Sequence, residues 1–136
     1  MNHTLKCILL IDDNPDDNFF HEREILKSNT GTTVITRESA RDALEYLKTK
    51  ESNDYCHPDL IFLDINMPGM NGWEFLEAYD KLDKEIQSRA IIIMLTTSDY
   101  FADVTKSKTW DFVSDFITKP LTKEMMKDIT DKYFGK

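Results

Sequence analysis

The amino-acid sequence predicts an α/β fold, in which a parallel sheet is covered by helices on both of its faces. Short apolar segments alternate with amphipathic segments five times along the 136 residues. Three of the apolar segments are nearly continuous runs of aliphatic residues, which are typical of parallel strands buried on both faces. These two observations predict five strands alternating with five helices, a doubly wound (βα)5 sheet.

The predicted strands are the five apolar segments, at residues 7–11, 33–36, 60–63, 90–95 and 116–118. The segments between them begin with residue types that favour helix starts. Asn14 followed by Pro15 predicts the start of the first helix, Ser39 that of the second and Thr122 that of the last. Each predicted strand is therefore followed closely by a helical segment, which is the order that a parallel sheet requires.

Apolar residues at helical spacing continue from these starts. The pair Asn71 and Glu74 resembles a capping box and predicts the start of the third helix. The predicted fourth helix, at 99–108, is weaker and more polar than the others. The apolar stripes are Ala40, Ala43, Leu44 and Leu47 in the second helix, Phe75, Tyr79, Leu82 and Ile86 in the third, and Met125, Met126, Ile129 and Tyr133 in the fifth.

The composition limits the classes of function. The chain carries 17 Lys and Arg against 25 Asp and Glu, a net charge of −8, which disfavours direct binding to nucleic acid or to an anionic membrane. The apolar run 7–11 is too short for a signal peptide and is closed by Asp12 and Asp13. We therefore expect a soluble cytoplasmic protein in which residues 1–136 form a single domain, with no output domain.

Polar side chains stand at the carboxyl ends of four predicted strands. Asp12 and Asp13 follow the first strand, and Asp64 follows the third. Thr96 and Lys119 follow the fourth and the fifth. In an open α/β sheet, ligands bind at this edge, in the crevice where the strand order reverses. A flavodoxin-like strand order, 2-1-3-4-5, places the first and third strands beside that crevice and brings the three aspartates together.

The chemistry of this set is that of phosphoryl acceptance. Neighbouring carboxylates repel one another, and Mg²⁺ relieves the repulsion because it prefers carboxylates, water and a substrate phosphate as ligands. Lys119 supplies a positive charge, and Thr96 supplies a hydroxyl donor for phosphate oxygens. A nucleophilic carboxylate, a metal, a cation and a hydroxyl are the groups required, because this reaction depends on positioning and charge neutralisation.

Four segments carry a resemblance to a known family. They are IDD at 11–13, LDINMPGMNGWE at 63–74, MLTTS at 94–98 and FITKP at 116–120. In this order, each at the end of a predicted strand, they make the chain similar to the response-regulator receiver domains of two-component signalling over essentially its whole length. The resemblance is to single-domain members of the family, of the chemotaxis-regulator type.

The resemblance implies a role for each matching residue. Asp64 is the expected phosphoacceptor. Mg²⁺ is expected to bind to Asp13 directly, to Asp12 mainly through water, to Asp64, and to the backbone carbonyl of Asn66. Asn66 and Ser98 are also expected to flank the approach of water and to tune dephosphorylation.

The remaining matches imply how the signal is made. Thr96 and Lys119 are expected to contact the phosphoryl oxygens, and the peptide bond between Lys119 and Pro120 is commonly cis in the family. Thr96 and Phe116 form the expected switch pair. Because Phe116 stands where many relatives carry Tyr, the switch is expected to move an aromatic ring that has no hydroxyl.

The implied function is a phosphorylation-dependent signalling switch, not a conventional enzyme. Asp64 is expected to take its phosphoryl group from a sensor histidine kinase or a phosphotransfer protein. Phosphorylation then changes the face formed by the fourth helix, the fifth strand and the fifth helix. With no output domain expected, the effect passes to a separate downstream protein, whose identity the sequence does not specify.

Three other functions fit parts of the pattern. An aspartate-nucleophile phosphatase needs a second Asp two positions after the nucleophile, where this sequence has Asn66. A nucleotide or flavin binder needs a glycine-rich loop after the first strand, where Asp12 and Asp13 would instead repel phosphate. A degenerate receiver, which acts only as a constitutive binding module, has no need of the complete set of acids, Thr96 and Lys119.

Overall fold

A computed structural model describes residues 5–28, 31–49, 57–65, 67–82, 90–96 and 113–134 of the chain. Five strands form one sheet: β1 Cys7–Ile11, β2 Thr33–Arg37, β3 Leu60–Asp64, β4 Ile91–Thr96 and β5 Val113–Thr118. All neighbouring strands pair in parallel, and their order is β2-β1-β3-β4-β5. The α/β class, the parallel sheet and the strand order predicted from the sequence are confirmed.

Four helices lie in the described part of the chain: α1 Pro15–Ser28, α2 Ala40–Lys48, α3 Gly72–Tyr79 and α4 Lys123–Phe134. The helix α4 is the fifth helix of the sequence-based prediction, and the predicted fourth helix, at 99–108, lies outside the described residues. Among the described residues, no helix combines the length and the apolar character that crossing a bilayer requires.

The residues predicted to begin helices do so through side-chain hydrogen bonds. The Asn14 Oδ1 atom accepts the backbone N–H of Asp16 at 2.9 Å. The Ser39 hydroxyl accepts the N–H three residues later at 3.0 Å, and the Thr122 hydroxyl does the same at 3.3 Å. Each bond satisfies a backbone donor that the first turn of a helix leaves unpaired.

The sheet divides the core into two layers, because successive side chains of a strand point to opposite faces. One layer consists of Leu9, Ile11, Ile61, Leu63, Ile92 and Met94, which pack against α2 and α3. The other consists of Ile8, Leu10, Leu60, Phe62, Ile93 and Leu95, which pack against α1 and α4. Helices on both faces explain why the central strands β1 and β3 are buried along their whole length.

Two elements differ from the prediction by more than one residue. The strand β5 begins at Val113, three residues before the predicted start, because this edge strand has no fully buried residue and its first half lacks an apolar run. The helix α3 ends at Tyr79, although the apolar spacing continues through Leu82. The N–H of Leu82 bonds to the carbonyl of Tyr79 at 3.0 Å, a tight turn that closes the helix. Ile86, the last position of the predicted stripe, lies outside the described residues.

Candidate functional site

The carboxyl ends of four strands meet at one edge of the sheet. Asp12 follows β1, and Asp64 is the last residue of β3. Thr96 is the last residue of β4, and Lys119 follows β5. The register keeps the strand ends level, because Asp64 pairs with Leu95, the residue before Thr96. The polar residues that the sequence places at strand ends therefore share one edge of the folded chain.

Asp12, Asp13 and Asp64 come together at this edge. One carboxylate oxygen of each lies within 4.8 Å of those of the other two. Asp12 and Asp64 are buried, whereas Asp13 is exposed. Carboxylate oxygens are the ligands that hard divalent cations prefer, and a cation among them offsets the repulsion between buried negative charges. On the chemistry of these donors, the three residues fit Mg²⁺.

The Lys119 ammonium lies among three carboxylates. Its Nζ atom is 2.6 Å from Asp12 Oδ2, 3.0 Å from Asp17 Oδ2 and 3.5 Å from Asp64 Oδ1. Burial alone would lower the pKa of this ammonium, but the hydrogen bonds to Asp12 and Asp17 and the charge of Asp64 raise its pKa overall. Lys119 is therefore a permanent cation at neutral pH.

The backbone of Lys119 is joined to the end of the neighbouring strand. Its N–H donates a hydrogen bond of 2.7 Å to the carbonyl oxygen of Thr96. The peptide bond between Lys119 and Pro120 is cis, as the resemblance implies. The hydrogen bond holds the backbones of Lys119 and Thr96 side by side at the edge of the sheet.

Asp12 is held through its side chain and its backbone. Its Oδ1 atom accepts the N–H of Asn14 at 3.0 Å, and its Oδ2 atom accepts from Lys119. Its backbone carbonyl accepts a hydrogen bond of 2.9 Å from the side-chain amide of Asn18. Both carboxylate oxygens are therefore engaged within the protein, and the orientation of Asp12 is set before any ligand binds.

Thr96 and Phe116 lie on one face of the sheet. Phe116 pairs with Met94 in the register of β4 and β5, and both side chains pack in the core layer that faces α2 and α3. Because side chains alternate along a strand, Thr96, two residues after Met94, lies on that same face. Thr96 is completely buried and Phe116 is half-buried. The other predicted positions, Asn66 and Ser98, lie outside the described residues.

The start of α3 packs directly against the end of β3. Asn71 and Glu74 form the predicted capping box, with two hydrogen bonds of 2.9 Å between the side chain of each and the backbone N–H of the other. The N–H of Gly72 donates to the carbonyl of Ile65 at 2.8 Å. A Cβ atom on Gly72 would lie 2.8 Å from the carbonyl oxygen of Asp64. Only glycine allows α3 to approach Asp64 so closely.

Three contacts at this edge are not evident from the sequence. They join Asp17 to Lys119, Asn18 to the backbone of Asp12, and Gly72 to the backbone of Asp64. The helix α1 begins three residues after Asp12, so its first turn must lie beside the strand ends. That placement is the signal that could have identified Asp17 and Asn18, which otherwise look like ordinary residues of a helix start.

His21 lies in α1, one helical turn after Asp17, and is buried. Burial lowers its pKa from 6.5, and the charge of Lys119 lowers the pKa further. Asp17, Asp12 and Glu24 act in the opposite direction without reversing the shift. The imidazole is therefore uncharged at neutral pH. His21 is not part of the carboxylate cluster.

The fold and this edge define a class, a doubly wound α/β protein with an acidic, lysine-containing site at the carboxyl ends of its strands. Comparison with known proteins then identifies the family. The model of the response regulator receiver domain matches residues 8–131. The chain therefore belongs to the receiver domain family of two-component response regulators.

Individual relatives agree with this assignment. The protein PilH of Pseudomonas aeruginosa is 28% identical over 123 residues, which cover 88% of this chain and 89% of PilH. The hybrid signal transduction histidine kinase L of Dictyostelium discoideum is 31% identical over 121 residues, which cover 87% of this chain and 7% of the kinase. The chain thus spans most of PilH but a small part of the kinase.

A solved structure extends the likeness to the fold. The crystal structure of a two component response regulator from Cytophaga hutchinsonii has a TM-score of 0.85 and 27% sequence identity, with 96% of this chain and 98% of that chain covered. Receiver domains are signalling switches, not conventional enzymes, and they typically bind Mg²⁺ at an acidic pocket. The aspartate cluster of this chain has the carboxylate ligands that such a site requires.

Proposed function

We propose that this chain is a phosphorylation-dependent switch in which Asp64 accepts a phosphoryl group from a sensor histidine kinase or a phosphotransfer protein. The observation that carries the proposal is the arrangement at the edge of the sheet. Three aspartate oxygens lie within 4.8 Å of one another, and the Lys119 ammonium contacts two of these aspartates. A carboxylate nucleophile beside an oxygen-rich cation site and a permanent positive charge is what phosphoryl acceptance requires.

The residues proposed to hold Mg²⁺ are Asp13, Asp64 and the backbone carbonyl of Asn66, with Asp12 acting mainly through water. The exposure of Asp13 supports direct ligation. The hydrogen bonds on both carboxylate oxygens of Asp12 support a role through water. When bound, the metal supplies positive charge that offsets the repulsion between the attacking carboxylate and the incoming phosphoryl oxygens.

In the proposed reaction, an oxygen of the Asp64 carboxylate attacks phosphorus. The new P–O bond forms as the bond from phosphorus to the nitrogen of the donor histidine breaks. The Lys119 ammonium leaves its carboxylate partners for the phosphoryl oxygens, and the Thr96 hydroxyl donates to the same group. Water later hydrolyses the acyl phosphate, a step that Asn66 and Ser98 are proposed to tune, so the chain catalyses only the gain and loss of its own phosphoryl group.

The proposed signal passes from Thr96 to Phe116. A new hydrogen bond on Thr96 favours one of two pre-existing arrangements of the β4 and β5 ends. Since Phe116 has no hydroxyl, its half-buried ring responds through packing alone. The face that changes is formed by the predicted fourth helix, β5 and α4, and it regulates a separate downstream protein. The shared face of Thr96 and Phe116 supports this route.

Acetyl phosphate tests the proposal directly. The full chain is incubated with acetyl phosphate and Mg²⁺, and its intact mass is measured for the wild type, Asp64→Asn and Asp16→Asn. Transfer releases acetate as the oxygen of Asp64 bonds to phosphorus. We expect one added phosphoryl group in the wild type and in Asp16→Asn, because Asp16 is exposed and has no proposed role. The adduct should be alkali-labile, absent with EDTA and absent in Asp64→Asn.

Other results would contradict the proposal. An adduct that persists in Asp64→Asn would place the phosphoryl group on another residue. Continuous release of phosphate from many monoesters would favour the phosphatase alternative. A wild-type chain that never acquires a phosphoryl group, yet captures the same partner with and without beryllofluoride, would favour a constitutive binding module.

A further inference from the structure

Lys119 has a carboxylate partner outside the aspartate cluster. Asp17 Oδ2 lies 3.0 Å from Lys119 Nζ, although the two residues are 102 positions apart in the sequence. The side chain of Asp17 is 38% exposed, whereas those of Asp12 and Asp64 are 3% and 6% exposed. Asp17 therefore contacts the ammonium from the solvent side and from a different element, α1.

The buried partners of Lys119 are also two of the three residues that fit a cation. Its Nζ atom is 2.6 Å from Asp12 and 3.5 Å from Asp64. A divalent cation bound among the same carboxylates repels the ammonium, since like charges a few ångströms apart interact strongly where solvent is largely excluded. Lys119 therefore needs another negative partner whenever the cluster holds a metal ion.

We infer that Asp17 is a positioning residue that retains Lys119 at the edge of the sheet when Mg²⁺ occupies the aspartate cluster. In the resting protein, Asp17 shares the ammonium with Asp12. As the cation binds, the ammonium shifts toward Asp17, which weakens the competition for Asp12 and Asp64. The ammonium also stays within reach of an incoming phosphoryl group. The inference rests on the proposed function, because it concerns the metal and the lysine of that same site.

Asp16 provides a matched control for Asp17. Both residues lie in the first turn of α1, and the backbone N–H of each is bonded to Asn14 Oδ1. Within the described residues, the ion pairs of Lys119 include Asp17 and not Asp16. The two side chains therefore share their charge and their place in the helix, and they differ in the contact with Lys119.

Calorimetric titration with Mg²⁺ tests the inference on the full chain. We expect Asp17→Asn to raise the Kd for Mg²⁺ by about 3- to 10-fold, the effect of losing a partly exposed but coupled ion pair. Asp16→Asn should change the Kd by less than about 2-fold, as a screened surface charge does. Thermal unfolding without Mg²⁺ establishes that each variant is folded.

A double-mutant cycle separates positioning from charge alone. In a Lys119→Met background no ammonium competes with the metal, so most of the effect of Asp17→Asn should disappear. The same rise in Kd in both backgrounds overturns the inference, and so does an equal effect of Asp16→Asn. A second variant, Asp17→Glu, keeps the carboxylate and should restore most of the wild-type affinity.

Phosphorylation kinetics give an independent readout. With acetyl phosphate as donor, Asp17→Asn should raise the Mg²⁺ concentration for half-maximal labelling, because the ammonium then competes with the metal for Asp12 and Asp64. An unchanged Mg²⁺ concentration for half-maximal labelling overturns the inference but leaves the proposed function intact. Failure of the proposed function has a different signature, since the wild type itself then takes no phosphoryl group.

Discussion

The interior of the sheet and its carboxyl edge belong to the same strands but are stabilised in different ways. In the interior, Leu9 and Leu63 are completely buried, and removing their apolar surface from water stabilises the fold. At the edge, Asp12 and Asp64 are almost equally buried, yet they carry like charges a few ångströms apart. The described structure offsets this repulsion through hydrogen bonds and the ammonium of Lys119.

This difference separates stability from function within a single strand. One step along β3, from Leu63 to Asp64, passes from a residue that stabilises the fold to the proposed phosphoacceptor, whose buried charge is unfavourable. Natural proteins commonly retain such locally unfavourable groups where they act. The comparison therefore predicts that substitutions in the interior mainly change stability, whereas substitutions at the edge mainly change binding and phosphorylation.

The largest expected effect is a loss of stability that distinguishes Leu63 from Asp64, its neighbour in β3. Leu63→Ala should lower the free energy of unfolding by about 2–5 kcal/mol, because it leaves a cavity in a fully buried layer. Asp64→Asn should change the free energy of unfolding by less than about 1 kcal/mol, since the relief of repulsion compensates for the weaker contact with Lys119. Urea denaturation without Mg²⁺ measures both. Equal losses of stability would remove the distinction between interior and edge.

A smaller effect is expected from glycines that differ in their surroundings. Gly72→Ala should cost about 1–3 kcal/mol, because the new Cβ meets the backbone of Asp64 and forces it to move. The same substitution at Gly31, where a Cβ has open space, should change stability by less than about 0.5 kcal/mol. Labelling with acetyl phosphate should fall only in Gly72→Ala. An unchanged rate in that variant would mean that Asp64 tolerates the displacement.

The smallest expected effect is on the pH dependence of the free energy of unfolding. The pKa of His21 is lowered from 6.5 in the folded chain, chiefly by burial, so the unfolded chain binds a proton first as the pH falls below 6.5. The contribution of His21 to stability is therefore complete above pH 6.5 and is lost as the pH falls toward the folded-state pKa.

Substitution of His21 tests whether this residue lowers stability as the pH falls. Urea denaturation between neutral pH and about pH 5 should give a shallower fall in stability for His21→Gln than for the wild type. His57→Gln retains His21 and serves as the matched control. A slope that is the same in the wild type and in His21→Gln would exclude this contribution.

Much of the fold follows from local patterns. The aliphatic runs of β1 and β3 predict buried parallel strands because such runs need an apolar layer on both faces. The residues Asn14, Ser39 and Asn71 predict helix starts because their side chains reach backbone donors only two or three positions away. The start of β5 is not predicted, because an edge strand needs no continuous apolar run and the first residues of β5 form none.

The candidate site is predictable in part. The meeting of Asp12 and Asp64 follows from parallel topology, because the carboxyl ends of neighbouring strands share an edge. The bond between Asp17 and Lys119 depends on how the first turn of α1 is placed against the end of β5, which no local pattern specifies. The requirement for glycine at Gly72 depends on the distance between α3 and β3, and that distance is set by packing.

The hydrogen bond between Lys119 and Asp12 joins residues 107 positions apart, whereas the capping box of α3 spans three. A nascent or partly folded chain can therefore form its helix starts early, but it cannot assemble the charged edge until the last strand has docked. A ligand that contacts both Lys119 and Asp12 binds only the complete fold and adds its binding free energy to the native state alone. Binding of such a ligand thus reports that folding has finished.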